Sequence, residues 1–142
     1  MDDAGDDPSL EVRPPRLEDL VRLARALEDA GARYVLIGGF AVSAHGLART
    51  TKGIDLLVDP SPENVERVKM ALAVLEDNAA ADIDGGDLKR YSVVRVADEV
   101  MVDLLAAACG VTCAEAEPQA VDAVTQGQRI RVASIETLIA TK

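Results

Sequence analysis

Residues 33–59 read Arg-Tyr-Val-Leu-Ile-Gly-Gly-Phe-Ala-Val-Ser-Ala-His-Gly-Leu-Ala-Arg-Thr-Thr-Lys-Gly-Ile-Asp-Leu-Leu-Val-Asp. Arg33 to Ile37 is a short, nearly continuous apolar run, the pattern of a buried strand. Gly38-Gly39 end it, and Phe40 to His45 start a short helix that Gly46 closes. Arg49 to Lys52 form a polar connector, and Ile54 to Val58 read as a second strand, stopped by Asp59-Pro60. At a strand–Gly-Gly–helix junction, backbone amides can approach a phosphate with no Cβ in the way, and the helix end favours negative charge. The same junction arises where helix and strand simply pack closely, so the glycines alone leave both readings open.

Asp55 adds a second signal. A carboxylate between Ile54 and Leu56 is costly to bury unless it is paired, hydrogen-bonded or bound to a metal. Asp103, between Val102 and Leu104, has the same setting. Two strands with one embedded aspartate each point to a carboxylate pair facing one site. Such a pair suits Mg²⁺, whose shell is completed by waters and substrate phosphates. The competing reading puts one acid on a solvated face or at a strand end.

Outward from this stretch, Leu17, Leu20, Val21, Leu23, Ala24 and Leu27 follow helical spacing, with Gly31 as the stop. Ser61-Pro62-Glu63 open a helix that runs to about Glu76. Asn78 to Asp87 reads as a loop. Tyr91–Val96 and Val100–Leu105 read as strands joined at Asp98-Glu99, and Ala120 to Val132 as a hairpin turning near Gln126-Gly127. Ser134 caps a last helix, Ile135 to Thr141. This order predicts an α+β fold, a small mixed sheet flanked by helices. Residues 1–14 are expected to be an acidic, disordered lead and residues 15–142 one domain.

Composition narrows the function. The 142 residues carry 15 Lys+Arg and 25 Asp+Glu, a net charge of −10. Five of the acids and no base lie in the first eleven residues, so the remainder is only mildly acidic. With no Trp, one Phe and two Tyr, stacking platforms for single-stranded nucleic acid are lacking, and the acidity argues against a general duplex-binding surface. No apolar run approaches the length of a membrane span, and the N-terminus lacks the basic and apolar parts of a secretory signal. Cys109 and Cys113 make no disulfide framework or zinc pattern, which leads us to expect a cytoplasmic protein with structural cysteines.

Gly38-Gly39, a 13-residue interval (40 to 52) and a short strand with an acid near its start resemble the nucleotidyltransferase superfamily related to DNA polymerase beta. The run from Gly38 to Asp59, with the ending Ile-Glu-Thr-Leu-Ile-Ala-Thr-Lys at 135–142, is similar to its small bacterial branch. That branch includes stand-alone nucleotidyltransferases and the nucleotidyltransferase-like proteins of toxin–antitoxin and abortive-infection systems. The resemblance implies a nucleoside triphosphate, two ions of Mg²⁺ or Mn²⁺, and transfer of a nucleoside monophosphate to an acceptor hydroxyl. The acceptor stays open between tRNA, a protein and a small molecule. A toxin–antitoxin partner protein is the alternative association, as a non-catalytic role on the same fold.

The resemblance places three metal-binding acids at positions 53, 55 and 103. Asp55 and Asp103 are present as catalytic and metal-binding candidates, but position 53 is Gly53. In a strand, positions 53 and 55 would face the same side about 7 Å apart, whereas Asp59 lies roughly 13 Å along and is a poor substitute. Gly53 is expected to weaken or abolish transfer. A disabled variant, a degenerate relative and an enzyme with a recruited ligand are the three explanations. The resemblance also assigns Gly38, Gly39, Ser43, Arg49, Thr51 and Lys142 to the nucleotide. Lys52 is read as solvated and His45 as structural.

Overall fold

The computed structural model describes residues 12–46 and 51–141. Arg49 and Lys142, and nearly all of the acidic lead, therefore lie outside the described residues. Helix α1 (Leu17–Ala30) buries Leu20, Val21, Leu23, Ala24 and Leu27 on one stripe, as their spacing requires. It starts where the Asp19 carboxylate accepts the Arg16 N–H at 2.7 Å. It stops at Gly31, whose φ of 71° lies in the left-handed region. Strand β1 (Tyr34–Ile37) then runs into α2 (Gly38–Ala44), and β2 (Ile54–Val58) into α3 (Pro62–Leu72). Helix α3 is capped by the Ser61 hydroxyl, with Pro62 in its first turn.

The second half holds α4 (Asp87–Tyr91), β3 (Val93–Ala97), β4 (Met101–Leu105), the short β5 (Ala107–Ala108) and β6 (Val111–Thr112), and α5 (Cys113–Ala116). Strands β7 (Val121–Thr125) and β8 (Gln128–Val132) and helix α6 (Ile135–Ala140) complete the order. Six strands form one sheet in the order β3-β4-β2-β1-β8-β7. The β4–β2 and β1–β8 pairs are parallel and the other three antiparallel, so the sheet is mixed, as expected.

Alternation along the strands sends two sets of side chains to two faces. Leu36, Ile54, Leu56, Val58, Val102 and Leu104 face α1 and α3 and form the main core with Leu23, Leu27, Val65 and Leu72. Each such leucine contributes about 1.5–3 kcal/mol by leaving water. Val35, Ile37 and Leu57 face the other way, against Ala108, Cys113, Ala116 and Ala133. That second core is small and leaves one end of the face uncovered. Asp55 and Asp103 project there.

Several boundaries differ from the sequence reading. Helix α2 begins at Gly38, so both glycines fall inside its first turn. Helix α3 ends at Leu72, although Leu75 beyond it is buried. The expected loop holds a 3-10 turn (Ala79–Asp82), and α4 starts at its last residue and takes Tyr91 out of the strand. Asp98 in the β3–β4 turn is buried, and its carboxylate accepts the N–H groups of Asp77, Ala79 and Glu99 at 2.7–2.8 Å. Those local amide bonds hold the 77–79 segment against the hairpin. Cys113 is buried, whereas Cys109 is exposed in the β5–β6 turn.

Candidate active site

Asp55 and Asp103 are direct neighbours across the parallel β2–β4 pair. Adjacent residues in register share a face, so both carboxyls point to the open end of the sheet. Both are half-buried. Burial, then the Asp103 charge and hydrogen bonding between the carboxyls, push the Asp55 carboxyl up to about 6, against an opposing pull from Arg95. Arg95 stands opposite Asp103 on β3. Its Nε donates to Asp103 Oδ1 at 2.9 Å and its Nη2 to Oδ2 at 3.2 Å, a bidentate pair. That pairing raises the Arg95 guanidinium further.

The glycines have a packing reason. Gly38 has a φ of 77°, and a Cβ there would run into the Asp55 carboxylate. A Cβ on Gly39 would lie 2.7 Å from that of Thr51. The space a side chain would take at the junction is thus filled by the acid and by Thr51. Thr51 Oγ1 donates to Gly53 O at 2.6 Å, which fixes the turn into β2. Gly53 is half-buried, and a Cβ on it would meet Met101 O at 3.0 Å and Met101 Cβ at 3.2 Å.

Two clefts meet at the aspartates. The first, about 660 Å³, is walled by apolar side chains of α6 and β4, including Ile135, Leu138, Ile139 and Leu105, with Gly38 and His45. The second, about 740 Å³, is lined by Thr51, Lys52, Gly53, Arg95 and Met101 among others. Both include Asp55 and Asp103. His45 Nε2 donates to Ala133 O at 2.9 Å, which fits its structural reading. Ser43 is exposed on α2 and lines neither cleft. Asp59 sits at the far end of β2, where it accepts from Arg33 Nη1 and the Ser61 N–H, both at 3.0 Å.

Asp55, Asp103, Gly38, Gly53 and Thr51 are therefore gathered around the meeting of the clefts, with Gly39 packed on Thr51. Arg95 was missed. The register comes from a three-residue turn, Asp98 to Val100, which sets position 95 opposite 103; the two-residue turn at Asp98-Glu99 expected from the sequence would set it opposite 102. The α6 wall was legible as a helix but not as part of a cleft. Among the described residues, no three His, Cys, Asp or Glu side chains are grouped to hold a metal ion. The Asp55–Asp103 pair fits one Mg²⁺-like ion, which commonly takes one or two carboxylates. It does not fit the two ions and three acids that the resemblance implies.

A mixed sheet carrying a Gly-Gly junction beside paired strand aspartates defines the nucleotidyltransferase-like class. A candidate nucleotidyltransferase of Thermotoga maritima shares this fold, at a TM-score of 0.61 and 15% identity over 90% of this chain and 83% of that one. The profile of the nucleotidyl transferase AbiEii toxin family, of a type IV toxin–antitoxin system, matches residues 20–142. The chain belongs to that family. None of the curated proteins matches it. Among the described residues, no helix is long and apolar enough to cross a membrane.

Proposed function

We propose that the chain is a toxin-type nucleotidyltransferase whose cleft takes up a nucleoside triphosphate beside Gly38, Gly39, Asp55 and Asp103. In this reading it transfers a nucleoside monophosphate to an acceptor hydroxyl, and Gly53 makes that transfer slow or absent. The observation that carries the reading is the side-by-side register of Asp55 and Asp103 where the two clefts meet. Asp55 and Asp103 would hold Mg²⁺ or Mn²⁺, which supplies Lewis-acid charge to the phosphates. Gly38 keeps the Asp55 carboxylate uncovered beside the junction. The aliphatic wall of the first cleft gives a nucleoside an apolar surface and excludes water from the phosphates. His45, donating to a backbone carbonyl, serves to hold α2 to the segment after β8. The family's toxin–antitoxin setting supports an antitoxin as the partner.

The test is transfer of labelled monophosphate from each nucleoside triphosphate to a cell extract of RNA, protein and small molecules, with Mg²⁺ or Mn²⁺. The chain is compared with Gly53→Asp, and Gly53→Ala reports whether Met101 yields to a side chain there. Gly53→Asp should raise labelling by roughly a hundredfold or more, because it returns a first-sphere acid. No labelling by either chain, with Gly53→Asp folded, overturns the transferase reading. A non-catalytic interaction role would then take its place, favoured by the absent acid at 53.

A further inference from the structure

Asp103 spends both oxygens on Arg95, and position 53 has no side chain to offer an ion. Among the described residues, the carboxylate pair itself stands with one guanidinium, a trio that one divalent ion converts from −1 to +1. We propose that Arg95 takes over the charge role of the second ion, so that this chain holds a single divalent ion on Asp55 and Asp103 and receives the triphosphate on Arg95 and Lys52 in the second cleft. The inference rests on the nucleotide-binding reading above and states how that site manages charge.

The geometry of the guanidinium supports it. Arginine carries five N–H groups in a planar fork that matches phosphate oxygens and does not lose its charge. Only Nε and Nη2 are used on Asp103, which leaves both Nη1 protons and one on Nη2. The Arg95 side chain is 66% exposed and lines the second cleft, so it can turn its unused edge to a ligand without uncovering the core. Lys52 lines the same cleft and has no ion-pair partner among the described residues. Arg13 also lines it but is committed to Asp19 and Glu99. A guanidinium beside a phosphoryl group can stabilise the charge that develops on transfer.

Two measurements on the full chain test the assignment. Bound Mn²⁺ is counted by electron paramagnetic resonance, and binding of Mn²⁺–tripolyphosphate, a probe without a base, is followed by calorimetry. The unaltered chain should hold one Mn²⁺ and Gly53→Asp two. Arg95→Gln removes a cation that competes for Asp103, so Mn²⁺ alone should bind about fivefold tighter. The same variant should bind Mn²⁺–tripolyphosphate about tenfold more weakly, with Arg95→Lys between the two. A purely structural ion pair would not give these opposite signs. Two ions in the unaltered chain, no ion at all, or both affinities moving together or not at all would overturn the proposal. Failure of the transfer assay with the opposite signs intact would count against the transferase reading alone.

Discussion

In two places the chain matches carboxylates to arginines one for one, and at the candidate site it does not. Near α1, Asp19 and Glu99 share Arg13 and Arg22, with Arg13–Asp19 at 2.6 Å and Arg22–Glu99 at 2.7 Å. At the far end of β2, Asp59 and Glu117 share Arg33 and Arg131, with Arg33–Asp59 at 3.0 Å and Arg131–Glu117 at 3.4 Å. The first cluster ties the chain before α1 to the β3–β4 turn. The second ties β1 and the end of β2 to the 3-10 turn at Glu117 and to β8. At the sheet's open end, Asp55 and Asp103 share only Arg95 among the described residues. Balanced clusters hold elements together. An unbalanced one keeps a charge in reserve for a proton or a ligand, and the Asp55 carboxyl, raised by burial first and by the Asp103 charge second, fits that.

The comparison can be broken by removing members of each cluster in turn. Asp19→Ala should cost most, about 2–4 kcal/mol in urea unfolding, because the buried Asp19 serves two arginines and the Arg16 N–H. Glu117→Gln should cost about 1 kcal/mol, since Arg33 is half exposed. Equal losses from these two variants would erase burial as the reason one cluster matters more.

Asp55→Asn should have the opposite sign. The Asp55 carboxyl lies at about 6 in the fold and near 3.9 in an unfolded chain, so the folded state binds that proton more tightly. Its contribution to stability is then fully present below about pH 4, is lost as pH rises through 6, and leaves a constant penalty above. Asparagine lacks that penalty, so the variant should melt about 2–4 °C higher at pH 8 and gain nothing at pH 4. A gain that does not change between these pH values would remove the unbalanced charge as its cause. Arg95→Gln should change stability least, by about 0.5 kcal/mol or less, because Arg95 itself stands largely exposed on the edge strand β3. A loss above about 2 kcal/mol in thermal unfolding would place Arg95 among the structural arginines.

The features that were legible in sequence are those where one residue breaks a local pattern. Asp55 and Asp103 stood out because each interrupts an apolar strand, and the structure pairs them. Gly38 and Gly39 stood out as a junction, though what they make room for, Asp55 and Thr51, is a contact between distant parts of the chain. The β7–β8 turn was readable because Gln126-Gly127 takes positive φ at both residues. The β5–β6 hairpin turns in the same way at Cys109-Gly110, but two-residue strands are too short to show a period. The α4 helix, between the expected loop and strand, had no legible signal because its five residues bury only Leu88. Arg95 reads as one more surface arginine until the strands are paired, since its role depends on which residue lies across from it.

Tyr34 is almost fully buried on β1, and its hydroxyl accepts the Arg131 N–H of β8 at 3.2 Å. Burial pushes that hydroxyl up to about 12, so it stays protonated through the whole physiological range. The chain has no tryptophan, and its other tyrosine, Tyr91, stands 61% exposed on α4. The ultraviolet emission of this protein therefore contains one ring shielded from solvent and one bathed in it. Quenching by a dissolved agent should divide the signal between them. The shielded part is an optical gauge, built into the chain without a label, of whether the β7–β8 hairpin is docked on the rest of the sheet.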